Sequence, residues 1–168
     1  VAPRGAVFGP MAEVVGASLQ YLTDDDAGAM AAYLKSLPPE PAAHRAAAPP
    51  LDDVMKTGRT LYEHHCADCH GADGRGTSVA GHPAYPPLAG NGALTMVEPV
   101  NAIRIVLNGG FPPATGGNPR PFGMPPYSPV LDDAEVAAVV TYVRNSWGNT
   151  APAVTPPDVN RWRAVPLD

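Results

Sequence analysis

The stretch CADCHG, residues 66–71, contains both cysteines of this 168-residue chain. Two thiols three residues apart, followed at once by a histidine, form the C-x-x-C-H pattern of c-type haem attachment. Each thiol can form a thioether with one haem vinyl group, and the adjacent imidazole is then placed under the iron. The sequence therefore predicts one covalent haem c, held by Cys66 and Cys69 and ligated by His70.

The spacing of the cysteines leaves three other interpretations open. A thioredoxin-like dithiol would lie in a β-α-β context, and the sequence shows no such alternation. A structural zinc site needs four ligands, which would have to include His64, His65 or His82 because there is no second cysteine pair. A plain disulfide would leave His70 without a role. Haem attachment uses all three residues of the motif.

Composition limits the classes of function. The chain has 22 prolines and 17 glycines, which favour long loops, and 45% hydrophobic residues, which suffice for a core. Its 11 basic and 16 acidic side chains give a net charge of -5, without the Lys/Arg cluster of a nucleic-acid-binding protein. No stretch approaches the roughly 20 apolar residues of a transmembrane helix. We expect neither a nucleic-acid partner nor a membrane span in this sequence.

Hydrophobic periodicity predicts a small all-α fold with long Pro/Gly-rich loops around one haem. One helix should cover residues 51–70, and its interior glycine, Gly58, indicates close approach of another helix. A short helix is expected from Pro99 to about Asn108. The clearest helix begins at Asp132, where Glu135 completes a capping box. No segment has the alternation of a strand.

The iron needs a sixth ligand from beyond the motif. Met124 lies in a loop bounded by glycine and proline, where a thioether can be held rigidly, and such a ligand raises the reduction potential and closes the iron to substrates. Met96 has hydrophobic neighbours and is expected in the core, while His82 is the bis-histidine alternative. Core packing is the expectation for Met30 and Met55, which lie on helix stripes. The histidines expected on surfaces or helix faces are His44, His64 and His65.

The beginning of the chain resembles its end. Residues 22–37 match residues 131–146 at a single offset, and Met11 precedes the first copy as Met124 precedes the second. Two unrelated amphipathic helices could share this pattern by chance. The shared upstream methionine favours a repeat.

The repeat divides the chain into four parts. Residues 1–37 would be the remnant of a preceding haem domain without a haem motif, containing a helix at about 24–36. Residues 38–50 form an Ala/Pro linker, and residues 51–150 form the haem domain. Residues 151–168 are expected to be an extended tail.

These motifs resemble a class I cytochrome c domain. The segments that carry the resemblance are GRTLYEHHCADCHG at 58–71, PPLAGN at 86–91, GMPP at 123–126 and YVRNSWGN at 142–149. More narrowly, the chain is similar to the three-haem cytochrome c subunit of membrane-bound periplasmic dehydrogenases. It resembles a truncated form of that subunit that contains the third, C-terminal haem domain. These dehydrogenases include FAD-dependent glucose, gluconate, sorbitol and fructose dehydrogenases and quinoprotein alcohol dehydrogenases.

The resemblance implies specific residue roles. Its covalent and axial haem ligands fall on the residues already singled out, Cys66, Cys69, His70 and Met124. The carbonyl of Pro86 would accept a hydrogen bond from His70 Nδ1 and fix the orientation of the ring. Gly58 and Tyr142 would meet where the first and last helices of the haem domain cross.

The function implied is electron transfer by a single haem c, without substrate-turnover machinery. The resemblance implies a FAD-dependent dehydrogenase catalytic subunit as electron donor, with a PQQ-dependent one less favoured, a small chaperone-like subunit, and ubiquinone or an external molecule as acceptor. Haem c attachment occurs in the periplasm, so we expect the protein there, at the cytoplasmic membrane. A peroxidase-like haem enzyme and a stand-alone soluble carrier are the alternatives. Residues 1–48 have no haem domain of their own to pack on, and their helix should lie against the dehydrogenase.

Overall fold

The computed structural model describes residues 5–39 and 48–165. Its helices are α1 (Pro10–Ala17), α2 (Asp24–Ser36), α3 (Asp52–His65), α4 (Ala67–His70), α5 (Val100–Asn108), α6 (Asp133–Arg144) and α7 (Pro156–Arg163). A 3-10 turn (Leu19–Tyr21) follows α1, and β1 (Ser78–Val79) pairs antiparallel with β2 (His82–Pro83). This small hairpin was not expected from the sequence, whereas the helical architecture was. Within the described ranges no helix is long and apolar enough to cross a bilayer.

The core forms where α3 and α6 cross at Gly58. A Cβ atom on Gly58 would collide with the carbonyl oxygen of Ala138 and lie 2.7 Å from Tyr142 Cβ. One turn further along α3, the ring of Tyr62 lies 5.6 Å from that of Tyr142. The predicted crossing of Gly58 and Tyr142 is confirmed, and it explains why α3 accepts the helix-destabilising glycine.

Helices α5 and α6 supply most of the remaining buried side chains. Those with little or no exposed surface include Ala102, Ile103, Leu107, Val136, Val139 and Val140. The backbone N–H of Glu135 donates to Asp132 Oδ1 (2.8 Å), and that of Asp132 donates to Glu135 Oε2 (2.9 Å). The capping box predicted at this helix start is confirmed.

The chain after residue 150 is not an extended tail, so the prediction for residues 151–168 is wrong in its described part. Helix α7 begins at Pro156 and has prolines in its first turn. Thr155 caps it, and the backbone N–H of Thr155 donates to Asp158 Oδ2 (2.9 Å). Proline is well tolerated in the first turn because the first N–H groups of a helix have no intrahelical partner. Eight residues that begin with two prolines show little periodicity, which is why the helix was missed.

Helix α7 packs firmly against α6. Val159 is completely buried. Arg163 Nε donates to Asp133 Oδ1 at 2.6 Å, and the other guanidinium nitrogens of Arg163 donate to the carbonyl oxygens of Ser128 and Leu131. The segment therefore forms part of the folded domain.

The N-terminal region divides into a docked part and an exposed part. The predicted helix at 24–36 is confirmed as α2, but each of its residues is exposed and it contacts no other described helix or strand. Residues 5–21, by contrast, lie on the haem domain, where Gly116 N–H donates to Gln20 Oε1 (3.1 Å). Residues 5–21 thus pack within the chain, whereas docking of the 24–36 helix on the dehydrogenase stays a prediction. The linker prediction falls mostly on residues 40–47, which, like His44, lie outside the described residues.

Of the three methionines expected in the core, Met55 is partly buried and the other two are exposed. Met96 lies in the loop before α5 with 52% of its surface exposed, and Met30 on α2 is 50% exposed. Met96 faces solvent because the loop residues 96–97 turn their carbonyl oxygens, not their side chains, to the buried Arg144. Met30 is exposed because no described element covers α2.

Candidate functional site

One cavity brings the predicted site residues together. It contains about 1210 Å³ of space free of protein atoms, part of it open to solvent. Its lining includes all five of them, Cys66, Cys69, His70, Pro86 and Met124. The two rival sixth ligands, Met96 and His82, are not among the lining residues, and His82 is exposed on β2.

A tight turn between α3 and α4 positions the cysteine motif. The backbone N–H of Cys66 still bonds to Tyr62 O (2.9 Å), closing α3, while the N–H groups of Cys69 and His70 donate to Cys66 O (3.2 and 2.9 Å). This single helical turn brings both thiols and the imidazole to the same cavity. Both cysteines are free, which argues against the disulfide interpretation.

The environment of the thiols also disfavours zinc. Burial, with a smaller contribution from Cys69, raises the pKa of Cys66 to about 12. Among the described residues, no group of three or more His, Cys, Asp or Glu side chains could hold a metal ion. A neutral thiol in an apolar wall is instead suited to a thioether, which carries no charge.

The His70 ring is held by a backbone carbonyl. His70 Nδ1 lies 3.0 Å from Pro86 O; a carbonyl only accepts, so Nδ1 carries the proton and Nε2 keeps the lone pair that a metal needs. Burial lowers the pKa of His70, and the bond to Pro86 opposes part of that effect. Burial therefore favours the neutral imidazole, and the bond to Pro86 fixes its orientation.

The loop after the motif folds back to bring Pro86 to His70. Gly74 has a positive φ of 67°, and a Cβ atom there would lie 2.7 Å from Trp147 Cδ2. Its carbonyl accepts from the N–H groups of Leu88 (2.7 Å) and Ala89 (2.9 Å). Glycine is needed at this position both for the backbone conformation and for the approach of the indole ring.

Met124 is fixed by a backbone bridge to the end of α5. Gly110 N–H donates to Met124 O (2.9 Å), and Met124 N–H donates to Gly110 O (2.8 Å). This pairing places the thioether on the cavity wall next to α5. A loop methionine held at both backbone groups has the rigidity expected of a ligand.

Sequence reasoning missed three residues that support the site. His65, expected on a surface, lines the cavity, and its carbonyl accepts from Tyr127 Oη (2.6 Å), which ties the Met124 loop to α3. Asn149 is buried and bridges Gly90 N–H to the carbonyl oxygen of Leu88. His65 and Asn149 lie within segments that carry the resemblance, but no role was assigned to them, and the only signal for Tyr127 is that it follows Met124 by three residues.

The cavity fits a covalently attached haem. It combines two free thiols, an imidazole with a free Nε2 and a thioether. None of its lining residues in the described structure is Asp, Glu, Lys or Arg, so the walls are apolar and the dielectric is low. Covalent attachment uses the thiols, and the low dielectric and axial residues tune the iron.

Residues 55–147 match the family model described as cytochrome c. The alcohol dehydrogenase (quinone) cytochrome c subunit of Gluconacetobacter polyoxogenes is 39% identical over 170 residues, which cover 95% of this chain and 36% of the relative. The gluconate 2-dehydrogenase cytochrome c subunit of Pantoea cypripedii is 40% identical over 164 residues, which cover 92% and 36%. The fructose dehydrogenase cytochrome subunit of Gluconobacter japonicus is 32% identical over 189 residues, covering 95% and 38%. The chain thus spans little more than a third of the length of these relatives.

Proposed function

Because the chain belongs to the cytochrome c family, we propose that it transfers electrons through a single covalently bound haem c. The observation that carries this proposal is the cavity that gathers both thiols, His70 and Met124. When bound, the haem supplies one-electron redox chemistry. The chain attaches it, orients its ligands and excludes water.

The proposal assigns a role to each of these residues, and the geometry of the cavity supports the assignment. Cys66 and Cys69 anchor the group through thioethers, and His70 Nε2 is the proximal ligand. Pro86 O holds the imidazole proton at Nδ1, which keeps the ring from rotating and strengthens Nε2 as a donor. Met124 supplies the distal sulfur, fixed by its bridge to Gly110.

Electron transfer is favoured over peroxidase-like turnover by the thioether in the cavity. A methionine at the sixth position closes the iron to small molecules, whereas an enzyme needs that position open. The visible spectrum separates the two. A methionine–iron(III) charge-transfer band is expected, and a high-spin spectrum would instead favour the enzyme.

Attachment of the haem is tested by mass. The intact chain under denaturing conditions should exceed its sequence mass by one haem, and Cys66→Ala with Cys69→Ala should abolish that gain. His70→Ala serves as the matched variant, because it should keep the added mass and lose the low-spin iron. An unmodified wild-type mass from cells that mature c-type cytochromes would contradict the proposal.

We also propose that residues 5–37 are the end of a preceding haem domain. Helix α2 repeats the pattern of α6, but the face that α6 buries on α3 is uncovered in α2. The greater length of the relatives leaves room for such a domain. In a longer form of the protein, this domain would cover Met30 and Leu34, and hydrogen exchange of α2 should slow accordingly.

The electron donor in this proposal is the catalytic subunit of a sugar or alcohol dehydrogenase in the periplasm, with FAD favoured over PQQ. Its support is that the relatives are named as cytochrome subunits of alcohol, gluconate and fructose dehydrogenases. Reduced catalytic subunits of each class, mixed anaerobically with the protein, should reduce its haem. Ubiquinone analogues and external acceptors should then reoxidise it. Failure of every donor would favour the stand-alone carrier.

A further inference from the structure

The haem cavity is partly walled by a segment from far outside the domain that forms it. Ala6 and Phe8 line the cavity, although the family match begins only at residue 55. We call residues 5–8 the N-terminal strap. The strap is an addition to the matched domain, so its role has to be argued from its own contacts.

The ring of Phe8 lies on the backbone that fixes Met124. A Cβ atom on Gly110 would come within 3.2 Å of Phe8 Cδ1 and 3.7 Å of Ile105 Cδ1. Gly110 is the residue whose N–H and carbonyl both pair with Met124. Phe8 therefore packs against Gly110, and glycine at position 110 makes room for its ring.

Contacts on both sides of Phe8 keep the strap in place. Before it, Gly5 lies beside the Asn91 side chain, and Ala6 reaches a second cavity that Asn91 and Ala93 also line. After it, the segment continues into α1 and the 3-10 turn, where Gln20 accepts from the N–H of Gly116. Because the backbone on both sides of Phe8 is already held in place, the Phe8 side chain loses little further conformational freedom when it packs. The ring can therefore restrict the movement of the backbone that it contacts.

We propose that Phe8 is a positioning residue for the sixth iron ligand. By packing on Gly110 it keeps the two backbone hydrogen bonds of Met124 closed, and the sulfur stays at the cavity. In this proposal Phe8 acts through Gly110. This inference rests on the proposed haem ligation by Met124.

The test is the rate at which imidazole displaces the methionine from the ferric iron in the full 168-residue chain. Since the methionine must leave before imidazole binds, Phe8→Ala should accelerate binding about tenfold by raising the population of the open loop. The reduction potential should fall at the same time. Phe8→Leu, which keeps apolar bulk, should restore most of both properties even if Phe8→Ala lowers the melting temperature.

Two comparisons give the test its specificity. Tyr21→Ala removes an aromatic ring that is 75% exposed in the same N-terminal region, and it should leave the rate and the potential unchanged. In a Met124→Ala background, Phe8→Ala should have no further effect on imidazole binding. An equal acceleration in both backgrounds would mean that Phe8 only obstructs entry, and would overturn the inference.

The outcomes also separate this inference from the function on which it rests. If the wild-type ferric protein lacks the methionine–iron charge-transfer band, ligation by Met124 is wrong and the role of Phe8 fails with it. If the band is present and Phe8→Ala changes neither rate nor potential, ligation stands and only the positioning role is overturned.

Discussion

Helices α2 and α6 have similar caps at their N-termini but lie in opposite environments. Thr23 Oγ1 accepts from the N–H of Asp26 (3.1 Å), just as Asp132 Oδ1 accepts from the N–H of Glu135 (2.8 Å). Both helices then carry a stripe of apolar residues with a tyrosine near the end. Yet α6 is largely buried, whereas every residue of α2 is exposed.

The difference shows that the pattern of a helix determines its formation but not its burial. Helix α6 is buried because α3 offers Gly58 at the crossing and α5 and α7 cover its other sides. No described element does this for α2. An isolated 13-residue helix is only marginally stable in water. The stability of α2 therefore depends on another element that packs against its apolar face.

The glycine pair gives the largest expected contrast. Gly58→Ala should destabilise the haem domain by about 3 kcal/mol, since the new methyl group collides with the backbone of Ala138 and α6 must move away. Gly28→Ala in α2 meets nothing within 4 Å and should stabilise that helix by about 0.8 kcal/mol. Denaturant unfolding followed by haem absorbance measures the first, and far-UV circular dichroism the second.

Equal effects at the two glycines would break the comparison. A neutral Gly58→Ala would mean that the α3–α6 crossing can widen freely. A destabilising Gly28→Ala would mean that α2 has a close partner.

The second contrast compares Met124, the proposed iron ligand, with Met11, which takes the equivalent place before the first copy of the repeat. Met124→Ala should open the iron to small ligands and lower the reduction potential by a sizeable fraction of the roughly 0.8 V that axial ligands span, because a thioether favours Fe(II). Met11→Ala should change neither property, since Met11 is 55% exposed and does not line the cavity. Redox titration of both variants provides the measurement. An unchanged potential in Met124→Ala would point to another ligand.

Much of the fold followed from local sequence signals. The capping box at Asp132, the interior glycine at position 58 and the helix at 24–36 each have a cause within a few residues, and the structure confirms all three. The helix α7 was missed because its start is a Thr-Pro-Pro-Asp cap and its single fully buried residue is Val159. A long apolar stripe can be recognised in a sequence. A short helix that is fixed by a hydrogen bond from Arg163 to the distant Asp133 cannot be recognised in this way.

The site was predictable where chemistry requires residue types at fixed spacing. The Cys-x-x-Cys-His motif is such a case, and the cavity collects the other predicted residues around it. The supports Phe8, Tyr127 and Asn149 could not be predicted because their contacts join positions tens of residues apart. No local rule relates Phe8 to Gly110, since the contact depends on how α1 docks.

The apolar stripes offer a smaller contrast. Val139→Ala on α6 removes two buried methyl groups and should cost about 2 kcal/mol of unfolding free energy. Met30→Ala, the corresponding change on α2, should stay within about 0.5 kcal/mol, because the side chain is already half exposed. Equilibrium urea unfolding of both variants decides the matter. A cost at Met30 comparable to that at Val139 would show that α2 is covered in solution, for instance by a second copy.

The smallest contrast concerns the aspartates that occupy the first turn of each helix. Arg163 and, to a lesser degree, Asn160 donate hydrogen bonds to Asp133, which lower its pKa below the usual value. A carboxyl with a lowered folded pKa stabilises the protein above its unfolded pKa, and this contribution is lost as the pH falls through the folded value. Asp133→Asn should therefore cost at most about 1 kcal/mol near neutral pH, because the pair is partly solvated.

That cost should begin to fade below about pH 4, where the carboxyl of the unfolded chain takes up a proton first, and it should be gone once the pH has fallen through the lower folded value. Asp24→Asn is the matched control, since Asp24 takes the same position at the start of α2, where no arginine is bonded to it in the described structure. It removes a carboxylate that has no arginine partner in the described structure and should change the unfolding free energy little near neutral pH. Urea unfolding of both variants across this range measures the difference. Loss of stability in Asp133→Asn that persists unchanged at acid pH would mean that the carboxyl acts through packing of α7 rather than through its charge, and the α7–α6 contact would then be a steric one.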